Sequence, residues 1–429
     1  LGAAVNASWW KLFESPELDA VVTKALSASP TLESARQRLI AAREAVNAAR
    51  SEWFPQVNVS ASVARERQSS TSFGLAPGSL PLPPNYNLFQ IGPTVSYRPD
   101  VFGRTRQRIA QQVALAEAQH FQLAAAYLSL TGNTVREAIQ IAAIGAQIEA
   151  VTDIVQIDLQ TVDLVRKERD VGTVPDTDVV SAESQLATDE TLRPGLEQQL
   201  AIAQHALAVL VGRTPAEWSP PPFELGKLTL PASVPVSLPS ELVHTRPDIL
   251  AAEADLRATS ALVGLARAQF FPDITLTAGI TASALSIRQV FDPSGLAWSI
   301  AAGLTQPVFD GGLRRAQRRE ALADFQASAA DYQQTVLQAF AQVADLLDAL
   351  THDAELVAAQ KRALDTAARS TALQRANYER GGAGLLELLD AQRQYQQALL
   401  GYRRAQAQSY LDVADLQVAI GAGGAAASP

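Results

Sequence analysis

The chain has 429 residues and a formal charge of −9, with a pI near 5.1, which excludes the basic face that a nucleic-acid binder needs to displace counterions. It contains no cysteine, so no disulfide framework, thiolate metal site or nucleophilic Cys is available. It also contains no methionine; Leu1 is expected to be a processed or trimmed start, with room ahead of it for a signal peptide or a lipid-bearing Cys. No uninterrupted apolar run approaches the roughly 18 residues of a spanning helix, a test that is blind to β-barrels.

Residues 1–28 form an N-terminal segment ahead of the first repeat, which covers 29–211. A helical stretch opens at Ser29-Pro30 and ends in Trp53-Phe54-Pro55. A β-hairpin is expected over 56–98. There Val57, Val59, Ala61 and Val63 alternate with Asn58, Ser60 and Ser62, and Phe89, Ile91, Val95 and Tyr97 alternate with Gln90, Thr94, Ser96 and Arg98. Period-two alternation over about ten residues is the strand signal, and the length suits a tilted membrane-spanning strand. From Gly103 to Val174 there is no proline, and Ala, Gln, Leu and Glu dominate. A long helix over 103–170 is expected, about 100 Å from end to end at ~1.5 Å per residue. Val171-Gly172-Thr173-Val174-Pro175 makes a tight break, and a return helix is expected over 176–211. The connection 212–246 is Pro-rich, with Pro220-Pro221-Pro222, Pro231, Pro235 and Pro239. It cannot be continuous helix, and its Phe223, Leu225, Leu228 and Leu230 favour packing over a free linker.

The second repeat covers 247–420. Arg246-Pro247 opens a stretch that ends in Phe270-Phe271-Pro272, with the same 25-position interval between prolines as in the first copy and an offset of 217. Ala266-Arg267 matches Ala49-Arg50. A hairpin follows over 273–306, where Ile274, Leu276, Ala278 and Ile280 alternate with Thr and Gly, and Trp298, Ile300, Ala302 and Leu304 with Ser, Ala and Gly. A long helix is expected over 313–380, a break at Gly381-Gly382-Ala383-Gly384, a return helix over 385–420 and a tail over 421–429. Pro99-Asp100-Val101-Phe102-Gly103 pairs loosely with Pro307-Val308-Phe309-Asp310-Gly311, and Gly172 and Asp178 pair with Gly381 and Glu387. A duplication of this size predicts two structural repeats.

A coiled-coil stalk would account for the helices alone, and a surface hairpin for any single alternating run. Four runs, flanked by Trp53, Phe54, Phe102, Phe270, Phe271 and Phe309, fit a membrane-interface girdle better. Four strands cannot close a barrel, and an open edge in lipid leaves backbone groups unpaired. Several copies must therefore share one barrel of about eight strands or more. The strands do not choose between two copies and three.

Trp9-Trp10-Lys11-Leu12-Phe13, Pro16-Glu17-Leu18-Asp19 and Ser29-Pro30-Thr31-Leu32 resemble the opening of the TolC/OprM outer-membrane factors, the lipoprotein-like NodT-type branch above all. The similarity continues through Arg98-Pro99-Asp100-Val101-Phe102-Gly103-Arg104, Arg246-Pro247-Asp248, Phe270-Phe271-Pro272, Gln306-Pro307-Val308-Phe309-Asp310-Gly311-Gly312 and Leu388-Leu389-Asp390-Ala391-Gln392-Arg393. The resemblance implies a mainly α fold with a β-barrel part: two internal repeats, four transmembrane strands per protomer, a twelve-stranded barrel per homotrimer, and a long α-helical tunnel through the periplasm. It implies an equatorial belt built from the N- and C-terminal segments and the Pro-rich connection. It also implies three partners besides the trimer itself: a periplasmic adaptor, an inner-membrane pump of the RND type, and outer-membrane lipid. The function it implies is the exit duct of a tripartite efflux pump, passing small molecules such as drugs.

Glu387 and Asp390 lie three residues apart beside the second break, on one helix face. In three copies they would stack two carboxylate rings around the pore axis, attracting cations and repelling each other, so that their pKa values rise on closure. The family places its constriction acids at these two positions. It also implies a closed-state latch between Asp178 and Tyr378, and an adaptor-contacting tip at Gly172, Thr173, Val174 and Pro175 with Gly381, Gly382, Ala383 and Gly384. The chain departs from the family pattern at Ala383, where some members carry an arginine bonded to the neighbouring hairpin. Arg104, Arg106 and Arg108, and again Arg314, Arg315, Arg318 and Arg319, start the long helices, where cations oppose the macrodipole. Some of them are expected to meet phospholipid headgroups or acidic residues at the barrel rim. The four histidines are scattered without metal-ligand spacing, and no phosphate-binding loop or nucleophile elbow is present. No enzyme, metal or cofactor is therefore expected. The competing reading is a periplasmic helical adaptor or scaffold without its own pore, which would dissolve without detergent.

Overall fold

The computed structural model describes residues 8–67, 76, 85–230 and 243–421. Pro231, Pro235, Pro239 and the tail from residue 422 lie outside the described residues. The helices are α1 Pro16–Ala28, α2 Pro30–Arg50, α3 Arg104–Asp170, α4 Asp176–Glu190, α5 Leu192–Leu210, α6 Pro247–Ala268, α7 Leu313–Tyr378 and α8 Leu385–Ala419. The strands are β1 Gln56–Glu66, β2 Tyr86–Tyr97, β3 Asp273–Ala284 and β4 Leu296–Thr305. The chain forms two compact units, and each draws on both repeats. One comprises Leu1–Arg38, Gln119–Ala251 and Gln333–Pro429; the other comprises Leu39–Ala118 and Ala252–Tyr332.

The second unit holds one antiparallel sheet in the order β1-β2-β3-β4. Its register lines up like with like across the strands. Val57 pairs with Val95, Val95 with Ala278 and Ala278 with Ile300. On the other face, Asn58 pairs with Thr94, Thr94 with Gly279 and Gly279 with Ser299. Side chains opposite one another in an antiparallel pair share a face, so one side of the sheet is mainly apolar, ending in Arg65 opposite Asn87, and the other is mainly small and polar. Among the described residues the apolar side is largely uncovered: Val59 is 72% exposed, Trp298 74% and Ile300 77%.

The β2–β3 pairing skips Gly92 and Pro93. Pro93 has no N–H to donate, and a Cβ on Gly92 would stand 1.9 Å from the Ile280 carbonyl oxygen. The two hairpins approach each other here by virtue of that missing side chain.

The first unit is helical. The return segment 176–211, expected as one helix, is two. α4 ends at Glu190, the Thr191 N–H turns back to the Thr188 carbonyl at 3.2 Å, and α5 begins at Leu192. The cause is Pro194, whose ring would collide with the carbonyl four residues earlier and which lacks an N–H to continue the ladder. α8 has no proline and runs unbroken for 35 residues. The second long helix stops at Tyr378 rather than at residue 380, because Gly381 reverses the chain. One 18-residue window of α3 reaches a mean hydropathy of 1.4, apolar enough by composition to cross a bilayer. Polar residues interrupt its apolar runs, which is why counting uninterrupted runs passed over it. Half of that window is buried in the protein.

The Pro-rich connection packs down. Phe223, Leu225 and Leu228 are buried, while Leu230 is 38% exposed. Tyr410 on α8 donates its hydroxyl to the Leu228 carbonyl at 2.9 Å, and its ring lies 6.4 Å from that of Phe13. The Thr229 N–H bonds to the Phe13 carbonyl at 3.1 Å. Arg246 caps the C-terminus of α8, reaching the Ala419 carbonyl at 2.7 Å while paired with Asp248 at 2.7 Å, so a carbonyl that helix geometry leaves open is satisfied.

Gly92→Ala is expected to force β2 and β3 apart and lower the melting temperature of the detergent-folded protein sharply. Gly303→Ala, whose Cβ would meet nothing nearer than the Thr275 oxygen at 3.8 Å, should be tolerated. Circular-dichroism melts of the two variants side by side check this.

Candidate functional site

Two groups of predicted residues sit in different units. In the sheet-bearing unit, the six predicted interface aromatics stand where strands meet helices. Trp53 and Phe54 precede β1, Phe102 lies between β2 and α3, Phe270 and Phe271 precede β3, and Phe309 follows β4. Phe102 and Phe271, one from each repeat, stack with ring centroids 5.0 Å apart and planes at 8°. Phe309 is 91% exposed.

The same junctions answer the arginines. Asp100 accepts from the Thr105 and Arg106 N–H groups at 3.0 and 2.9 Å. Asp310 accepts from those of Gly312 and Arg314 at 2.9 and 3.3 Å. Each carboxylate satisfies open N–H groups at the start of a long helix and puts negative charge at its positive end. The Gly312 N–H above all holds the Asp310 carboxyl below its ordinary range. Arg104 pairs with Asp273 at 2.9 Å, Arg108 with Glu52 at 3.0 Å and Arg314 with Asp310 at 3.7 Å. Some arginines do meet acids at the strand–helix junction; Arg315, Arg318 and Arg319 are exposed.

In the helical unit, the two breaks are built alike. Gly172 and Gly381 take φ of +80° and +75°, a region that side chains other than Gly enter at a cost. The Thr173 N–H bonds to the Glu168 carbonyl at 2.9 Å, and the Gly382 N–H to the Asn377 carbonyl at 2.8 Å. These are the six-to-one bonds of a Schellman cap. Val174 and Pro175, like Ala383 and Gly384, then lead into the return helix. Val162, Val165, Val179, Ala182, Tyr378, Leu385 and Leu388 pack into one buried cluster behind both breaks.

Tyr378 is buried there, and its hydroxyl donates to Glu168 Oε2 at 2.6 Å. Burial first, then the Glu168 bond and the charges of Glu168 and Asp178, push its phenol well above the ordinary value. The intrachain partner of Tyr378 is therefore Glu168, while half-buried Asp178 is close enough to be felt. Sequence reasoning missed Glu168. A signal existed: Val162, Val165 and Glu168 recur every three residues on one buried stripe, and an acid there needs a partner.

Glu387 lies in the first turn of α8 and Asp390 in the next, with different surroundings. Glu387 is exposed. Asp390 is paired with Arg393 and accepts from Gln394 Nε2 at 2.7 Å. The pair of acids thus carries a local cation on its second member.

The chain matches the family model "Outer membrane efflux protein" over residues 21–213 and 238–422. It is 28% identical to Nodulation protein T of Rhizobium leguminosarum bv. viciae, over 99% of this chain and 86% of that protein. It is 30% identical to the outer membrane protein OprJ of Pseudomonas aeruginosa, over 98% of this chain and 88% of that one. The structure of the outer-membrane channel OprN superposes with a TM-score of 0.92 at 27% identity, covering 98% of this chain and 93% of that one.

Tyr378→Phe is expected to cost about 1–2 kcal/mol of stability, the worth of a hydrogen bond to a carboxylate that solvent can partly replace. Most of that loss should be absent in a Glu168→Ala background, which has no acceptor, a coupling that a double-mutant cycle by denaturant melts measures.

Proposed function

Because this chain belongs to the outer membrane efflux protein family, we propose that it works as a homotrimeric exit duct whose gate lies at the two helical breaks. It is an outer-membrane efflux channel with its helices in the periplasm. The observation that carries the trimer is the sheet: four strands, an apolar face bare of any cover, and outer edges on β1 and β4 that pair with nothing among the described residues. Three copies close a barrel of about twelve strands, with every edge paired and the apolar faces turned to lipid.

Drugs and other small molecules pass through this duct, delivered by a periplasmic adaptor and an RND-type inner-membrane pump. The adaptor meets the breaks at Gly172–Pro175 and Gly381–Gly384. The chain contributes no chemical step; its role is a conduit, so selectivity rests on charge and width. The aromatic residues at the strand ends sit at the membrane interface, with outer-membrane phospholipid against them. The soluble-scaffold reading loses its footing on the exposed apolar sheet face, which water would not tolerate at that extent.

The constriction is the ring of Glu387 with the ring of Asp390 behind it. Arg393 offsets Asp390, so the Glu387 ring carries most of the cation preference. Tyr378 and Asp178 form the closed-state latch. Tyr378 bridges to the first-repeat hairpin of its own chain through Glu168, which leaves Asp178 for the neighbouring protomer.

Single-channel currents in a planar bilayer test this. Glu387→Gln is expected to reduce cation selectivity more than Asp390→Asn, and Tyr378→Phe with Asp178→Ala to raise the open probability. Equal effects of the two acid substitutions would remove the assigned roles. Absence of current from a detergent-free monomer would remove the channel reading for the isolated protein.

A further inference from the structure

Two pairs of acids lie inside the helical unit, away from the gate residues. Asp158 on α3 and Asp189 on α4 are each 3% exposed, and their carboxyls are within hydrogen-bonding reach of each other. Asp353 on α7 and Asp412 on α8 are each 8% exposed and are joined in the same way. The donors around each pair are distributed unequally. Asp189 accepts from Gln185 Nε2 at 2.8 Å and from Gln396 Nε2 at 2.6 Å. Asp412 accepts from Gln408 Nε2 at 2.9 Å. Asp158 Oδ2 and Asp353 Oδ2 are buried and receive no donor among the described residues.

That asymmetry assigns the protons. A buried ionised carboxylate without donors is prohibitive, whereas a protonated one can donate to its neighbour. In both pairs the acid served by a glutamine four residues earlier is the anion, and the unserved acid on the long helix is the hydrogen-bond donor. We propose that Asp158 with Asp189, and Asp353 with Asp412, each hold one shared buried proton that fastens a return helix to its long helix, so that helix packing in this unit loosens when those protons leave.

The charged surroundings are sparse. Asp189 is the one charged group that moves Asp158. Beside the second pair, Asp415 on α8 feels Asp412 and is bound to Arg136 of α3. His352 and Glu355, next to Asp353 along α7, are exposed and 3.6 Å from each other. Burial first, then the partner acid, raises Asp158 to about 8 and Asp353 to about 6. Both values lie above the roughly 3.9 of an unfolded Asp. The stabilisation is therefore complete below about pH 4 and is lost as pH rises through the folded values, first for Asp353 and then for Asp158.

The shared protons are independent of the channel reading; their effect on opening rests on it. Infrared spectra of the purified wild type should show a protonated-carboxyl band at about pH 5 that disappears by about pH 10, and melting temperature should fall in two steps across that range. Asp353→Asn should remove the lower step and Asp158→Asn the upper one, since an amide keeps the donor and cannot ionise. A missing band at low pH, or unchanged steps in the variants, overturns the proposal; the infrared arm decides even if a variant fails to fold. Open probability should rise over the same range and stop doing so in the double variant. A pH-insensitive current beside normal melting steps overturns the gating consequence and leaves the channel standing.

Discussion

Everything in this protein depends on a sheet that one chain cannot finish. β1 to β4 are paired among themselves, yet among the described residues the outer edges of β1 and β4 are open and the apolar face from Val57 to Ile300 is largely uncovered. In water the face is the problem; in lipid the edges are. Only closure with further copies inside a membrane removes both costs at once. The bare Gly92, which lets the two hairpins come together, is what makes the four strands one sheet rather than two ribbons.

The duplication repeats the frame, while the chemistry differs between copies. Both breaks carry a left-handed glycine and the same capping bond, and both long helices begin under an aspartate. Glu387 and Asp390, the acids proposed for the gate, come from the second repeat alone. Asp178, at the corresponding place in the first, faces a tyrosine held by Glu168. A frame repeated in outline can thus present two different surfaces where its hairpins meet.

Much of the fold was legible because it rests on local signals. The proline-free span after Gly103 marked α3 to its last residue, and alternation marked all four strands. Pro194 was equally visible, and reading through it produced one return helix where there are two. What could not be read were pairings between distant positions. Asp158, Asp189, Asp353 and Asp412 look in sequence like any other helical acid, and only packing reveals that they lie buried in pairs. The bond from Tyr378 to Glu168 was hidden for the same reason. Glu168 is 210 positions away, and nothing local links the two.

The break at Thr191 gives the two return segments different mechanical characters. α8 is a single beam of 35 residues, and a force on its tip is transmitted along its whole length. α4 is a lever of 15 residues ending at a joint, so the same force can tilt it while α5 stays fixed against its own neighbours. One helical hairpin of the chain is therefore compliant and the other stiff. In the proposed trimer, displacement at the tip is absorbed unevenly around the duct, alternating soft and hard sectors rather than dilating as a uniform ring.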